Sequence, residues 1–155
     1  MLIAGAPFAP AGQAAEAPQW LSFTAPKPIA AAAGHATFID LRFRVRDGFH
    51  VNSSHPRSSL LIPTRLTLTL PEGLSLQGTG YPAGKTLVLS FDPKEPLDVY
   101  SGAFTIRAQV EPNPDARPGD YQVTGGLRYQ ACSDRACYPP KTLPVSFEVK
   151  VSAAR

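Results

Sequence analysis

The sequence predicts an all-β fold, an antiparallel β-sandwich. Apolar and polar residues alternate in a series of short runs, and turn signals separate those runs at close intervals. The 17 prolines recur between the runs, which disfavours long helices and suits short strands joined by turns. At 155 residues, with 43% apolar residues, the chain is one domain, or one domain plus a tail, with enough apolar surface for one core.

The first 19 residues stand apart. Positions 1–19 are rich in Ala, Pro and Gly and contain no Lys or Arg. They read as a signal-peptide remnant with small-residue cleavage candidates at Gln13-Ala14-Ala15, or as a disordered Ala/Pro-rich leader. The globular domain is expected over 20–155.

Trp20 to Phe23 is a short alternating start, broken by Pro26 and Pro28. Ala30 to Ala33 could nucleate a helical turn, but Gly34 follows and the run is too short to stand alone. Phe38 to Arg46 is the clearest strand. Ile39, Leu41, Phe43 and Val45 point one way, and Asp40, Arg42, Arg44 and Arg46 the other. Asp47-Gly48 is a turn, and Phe49 to Asn52 a short strand ended by Ser53 to Pro56. Arg65 to Leu70 alternates again, with Leu66, Leu68 and Leu70 inward. Pro71-Glu72-Gly73 is a turn, and Leu74 to Leu76 continues the meander.

Leu87, Leu89 and Phe91 make another alternating run, which places Phe91 in the core. Asp92 to Pro96 is polar, carries prolines and reads as a loop. Phe104, Ile106, Ala108 and Val110 line the next strand. Glu111 to Asp120 reads as a rigid surface connection. Tyr121 to Tyr129 is a strand kinked or bulged at Gly125-Gly126. Val145, Phe147, Val149 and Val151 alternate along the last strand. About eight short strands with turn signals between them make the sandwich immunoglobulin-like.

Charge excludes little and supports no nucleic-acid partner. Net charge is +3, and the one dense basic group, Arg42, Arg44 and Arg46, alternates along a strand as a solvated face. No apolar run approaches the roughly 20 residues a membrane-crossing helix needs, so the chain itself is not expected to span a membrane.

The stretch Tyr129-Gln130-Ala131-Cys132-Ser133-Asp134-Arg135-Ala136-Cys137-Tyr138-Pro139-Pro140 carries both cysteines. If they pair, the loop closed is short and adds only about 2 kcal/mol of chain-entropy stabilisation. Such a pair suits opening and closing better than stapling, although a local hairpin staple in an exported domain remains the structural alternative. Two thiols with distant histidines (His35, His50, His55) make a poor zinc set.

The Tyr-Gln-Ala-Cys-x-x-x-x-Cys-Tyr-Pro-Pro motif resembles the active-site motif of the N-terminal periplasmic domain of the DsbD thiol:disulfide interchange family. Asp47 to Ser53 resembles that family's Asp-Gly-aromatic segment, and Asp98 to Gly102 with Phe104 to Ile106 a third segment. The likeness runs from about Trp20 to Val151 and implies the same immunoglobulin-like fold. It implies that Cys132 and Cys137 form the redox pair, with Cys137 making the mixed disulfide to partners and Cys132 resolving it. Tyr129, Asp134, Arg135, Tyr138 and Pro139 surround that pair in sequence. Arg135 would favour a thiolate and Asp134 would oppose it, or Arg135 is a plain loop residue. The resemblance also implies a shielding cap loop with an aromatic, here about Phe91 to Pro96, in which Phe91 is the one aromatic. It sets His50 and Asn52 near the cysteines, with His50 as a thiol-tuning group or as an exposed strand histidine without a role.

The function implied is a periplasmic electron-transfer module, a protein-disulfide reductase that works with a separate donor. It would need no metal or organic cofactor. Its partners would be oxidised thioredoxin-like periplasmic proteins, with a membrane-embedded or thioredoxin-like protein as donor. Cytochrome c maturation is a process the resemblance implies such a module would serve. The sequence contains neither the family's transmembrane domain nor its C-terminal thioredoxin-like domain, so the chain is expected to act in trans or as a piece of a longer protein. The competing expectation is a non-catalytic β-sandwich that binds protein or carbohydrate and keeps a structural disulfide.

Overall fold

The computed structural model describes residues 19–154. The expected leader therefore lies outside the described residues, apart from Gln19. The described chain is all β, with twelve strands in three four-stranded sheets. This is the expected fold class, built from more strands than the eight expected.

The first sheet runs in the order β1 (Leu21–Thr24), β3 (Thr37–Val45), β9 (Ala103–Pro112), β6 (Leu74–Gly80), all antiparallel. The second runs β2 (Ile29–Ala32), β12 (Lys141–Ser152), β10 (Gly119–Tyr129), β5 (Arg65–Thr69). The inward residues of both sheets form one core cluster, including Ile39, Leu41, Val45, Ile106 and Val110 from the first, and Val123, Leu127, Val145 and Val149 from the second. Period-two patterning made these assignments legible: every odd-numbered apolar residue from Ile39 to Val45 and from Val145 to Val151 is buried.

A third, smaller sheet carries the cysteine pair. Its order is β11 (Ala131–Cys132), β4 (His50–Asn52), β8 (Asp92–Tyr100), β7 (Lys85–Leu89).

Several expectations are corrected by pairing partners that no local pattern reveals. Ala30 to Ala33 does not form a helical turn, because Ile29–Ala32 pairs in parallel with β12. Asp92 to Pro96 is not a loop but the start of β8, hairpinned onto β7. The ladder shifts register between Leu87 and Leu89, and only Val99 and Tyr100 of β8 pair with β4. Pro93 and Pro96 thus sit at an irregular, one-sided stretch, where the missing N–H costs little. Phe91 is not core: it stands at the turn of this hairpin, 67% exposed.

β6 does not continue a meander from β5, since β5 pairs with β10 and β6 with β9 in the other sheet. The turn at Pro71 to Gly73 carries the chain between sheets, with Gly73 at φ 98°. The connection expected over Glu111 to Asp120 shrinks to 113–118, because β9 runs through Pro112 and β10 begins at Gly119. Gly125 and Gly126 are not a bulge. The β10 register runs unbroken through both on each side. They permit close approach instead, since a Cβ on Gly125 would lie 2.1 Å from the Thr67 carbonyl oxygen.

Candidate functional site

Cys132 and Cys137 are joined by a disulfide, with Cα atoms 4.0 Å apart and an antiparallel bridge between the two residues. Cys132 ends the two-residue strand β11, so the bond closes a hairpin whose tip is Ser133 to Ala136. That tip is held locally. Ser133 N donates to Ala136 O at 2.8 Å, Tyr138 N donates to Ala131 O at 2.9 Å, and Ser133 Oγ accepts from the backbone N–H of Arg135 and of Ala136 at 3.2 Å. Hydroxyl capping of this kind shapes a turn without core packing.

The two sulfurs sit in different surroundings. Cys132 is 2% exposed, whereas Cys137 lies in the exposed stretch with Asp134, Arg135 and Ala136. The strand pairing explains the difference. Cys132 is backed by β4, while Cys137 lies past the polar tip.

An aromatic cluster fixes the exit of the loop. Tyr138 stacks on Trp20 with centroids 4.5 Å apart and 22° between planes, and Phe49 lies 6.1 Å from Tyr138. Lys141 Nζ sits 4.5 Å over the Trp20 ring. Pro139 and Pro140 follow, both exposed. Tyr129, at the end of β10, is buried, and burial pushes its phenol pKa up, against a backbone hydrogen bond at Trp20.

His50 is not an exposed strand histidine. It is 6% exposed, and it is the direct Cα partner of Cys132 across the β4–β11 ladder. Its Nε2 is buried and has no hydrogen-bond partner. Burial holds its pKa below the ordinary imidazole value. His50 also lines a cleft of about 360 Å³, together with Phe49, Lys85, Leu87, Leu89, Val99 and Asp134. The cleft thus joins the disulfide loop to the β7–β8 hairpin.

Asn52 is fully buried and turned to other work. Its Nδ2 donates to Ile62 O at 3.0 Å and reaches Gln130 Oε1 at 3.5 Å, and its carbonyl accepts from Thr64 Oγ1. It ties the 53–64 segment to the third sheet. Phe91, at the hairpin turn, is absent from the residues lining the cleft, which Leu89 reaches instead.

The sequence reading missed Trp20 and Phe49 as supports of the loop, and Lys85 and Leu89 as walls of the cleft. No spacing connects Trp20 to Tyr138, 118 positions later; only the folded sheets bring them together. Among the described residues no cluster of three or more His, Cys, Asp or Glu is placed to hold a metal ion. Among them, too, no helix is long and apolar enough to cross a membrane.

The family model for the N-terminal part of the thiol:disulfide interchange protein DsbD matches residues 18–148. The chain belongs to the DsbD N-terminal domain family. The disulfide hairpin lies within the matched region. Among solved structures, the chain is similar to the reduced N-terminal domain of DsbD from Neisseria meningitidis (20% identity, 72% of this chain and 74% of that one, TM-score 0.43). It is similar to the same organism's DsbD N-terminal domain in complex with the PilB N-terminal domain (20% identity, 72% and 73%, TM-score 0.41). It also resembles a type I cohesin of Pseudobacteroides cellulosolvens (10% identity, 88% and 94%, TM-score 0.53), a likeness of fold alone. No curated protein sequence matches.

Proposed function

We propose that this domain is a periplasmic thiol:disulfide interchange module that passes reducing equivalents through Cys132 and Cys137 to oxidised partner proteins. One observation carries the reading: in a DsbD N-terminal family member, the pair closes a solvent-facing hairpin with one cysteine exposed and the other buried and backed by a sheet. Exchange needs a reachable sulfur and a second one to resolve the mixed disulfide, and this asymmetry divides those tasks.

In the reduced domain, the Cys137 thiolate attacks a partner disulfide. One partner sulfur leaves, and the other is held as a mixed disulfide. Cys132 then attacks Cys137 Sγ, re-forming the intramolecular bond and releasing the second partner sulfur. Two electrons and two protons pass to the partner. A dithiol donor, membrane-embedded or thioredoxin-like, returns them. The accepting partners are proposed to be thioredoxin-like periplasmic proteins, which themselves present a disulfide at the surface. An exported location fits a bond that requires an oxidising compartment. The protein's own residues supply the chemistry.

Titration of the pair against glutathione redox buffers tests this reading. An exchangeable pair is expected to have a potential above about −300 mV, and a structural staple one below it. A pair that stays oxidised across the glutathione range would make the domain a binding sandwich with a structural disulfide.

A further inference from the structure

His50 and Cys132 face each other directly in the antiparallel β4–β11 ladder. Opposite residues in such a ladder point to the same face, with Cβ atoms about 4.5–5.5 Å apart. His50 is 6% exposed, and its Nε2 is one of two buried side-chain atoms without a hydrogen bond among the described residues. Buried polar atoms are nearly always paired, so an unpaired ring nitrogen calls for a cause. The oxidation state supplies one. In the disulfide, Cys132 sulfur carries no proton to donate. Reduction gives it an S–H on the face His50 occupies.

We propose that His50 is the base that takes the proton from the Cys132 thiol as that sulfur attacks the mixed disulfide. The inference rests on the interchange reading above. The Cys132 S–H proton passes to His50 Nε2 while Cys132 Sγ bonds to Cys137 Sγ. The Cys137–partner S–S bond breaks, with its electron pair on the partner sulfur. The imidazolium then returns the proton to that sulfur, directly or through water in the cleft beside it. In the reverse direction, the imidazolium protonates Cys132 as a donor thiolate opens the disulfide at Cys137.

A base is needed because Cys132 is buried, and burial in apolar surroundings raises a thiol's pKa and starves it of thiolate. Burial acts on His50 in the useful direction, keeping the ring neutral and able to accept a proton near pH 7. The charged groups at the cleft are Lys85 from β7 and Asp134 from the disulfide loop, while Val99 of β8 and Ser101 just after it add no charge. Lys85 disfavours a second positive charge on the ring and Asp134 favours it, so the cleft holds one group of each sign.

The test uses the reduced domain and the aromatic disulfide 5,5′-dithiobis(2-nitrobenzoate) at near-equimolar concentration in stopped flow. The first chromophore released reports attack by Cys137, and the second reports resolution by Cys132. His50→Gln is expected to leave the first phase unchanged and to slow the second by about 100-fold at pH 7, the lower end of what a positioned acid–base group contributes. The wild-type second phase should weaken as pH falls through the histidine range. In His50→Gln the rise should move to higher pH, where the thiol ionises by itself. Imidazole added to His50→Ala should restore the second phase. An unchanged second phase, equal slowing of both phases, or no rescue by imidazole would overturn the assignment. Failure of the interchange reading shows separately, as a disulfide that glutathione does not reduce.

Discussion

Trp20 and Tyr138 stack with ring centroids 4.5 Å apart, joining the residue before the first strand to the residue after the second cysteine. The contact holds the loop exit against the body of the domain, and Phe49 completes the cluster at 6.3 Å from Trp20. The disulfide hairpin is therefore anchored at one end by β-pairing of Cys132 and at the other by aromatic packing of Tyr138.

Removing that anchor should cost stability. Tyr138→Ala is expected to lose about 1–2 kcal/mol, from lost aromatic pairing and apolar burial of a half-buried ring. Tyr138→Phe keeps the ring and should stay close to wild type. Urea unfolding of both variants checks this, and equal stability of Tyr138→Ala and wild type would show that the stack contributes nothing.

The difference in exposure between the two cysteines predicts which one traps a partner. Cys132→Ala should accumulate a lasting mixed disulfide through Cys137, and Cys137→Ala should trap little. Non-reducing electrophoresis with an oxidised thioredoxin-like protein reads the outcome. Equal trapping by both would remove the division of roles. The double alanine variant should fold with a loss of only about 2 kcal/mol, because the loop closed is short.

The glycine pair in β10 should respond unequally to alanine. At Gly125 the new Cβ would meet the backbone oxygen of Thr67 at 2.1 Å and the Cα of Leu68 at 3.0 Å. At Gly126 its nearest neighbour is Thr142 Cγ2 at 2.5 Å, and a threonine side chain can move. Gly125→Ala is expected to cost about 3 kcal/mol, at the top of the usual overpacking range, and Gly126→Ala about 1 kcal/mol. Thermal or urea unfolding tests the order, which a costlier Gly126→Ala would reverse.

Stability should depend on pH through His50. Its folded pKa lies below the unfolded value near 6.5, so the unfolded chain binds more protons between the two. The stabilisation of the neutral ring is fully present above about pH 6.5 and is lost as pH falls toward the folded pKa. Urea midpoints should fall from pH 7.5 to pH 5 in wild type and change less in His50→Gln. Asp40 acts in a separate window. Its hydrogen bonds with Arg107, at 2.7 and 3.3 Å, lower its pKa, and that surface contribution fades only as pH falls through the carboxylate range.

Strand identity and the cysteine pair were legible in the residues themselves. Ile39 to Val45 and Val145 to Val151 announce their buried faces because side chains alternate strictly along a strand, so a period of two is written locally. The Cys132–Cys137 spacing and the flanking Tyr138-Pro139-Pro140 pointed to the hairpin for the same reason, since all of its parts are near in sequence. What the fold alone decided is long-range pairing. Ile29–Ala32 became a strand because β12 lies beside it, and Asp92 to Pro96 because β7 folds back onto it. Phe91 was thrown outward by the same hairpin. His50 has the pattern of an ordinary strand residue; the family likeness of Asp47 to Ser53 set it near the cysteines, but no local pattern signals that Cys132, 82 positions on, will sit directly opposite. Backbone hydrogen bonding between distant strands sets that neighbour, and the ring nitrogen Nε2 is left buried and unpaired.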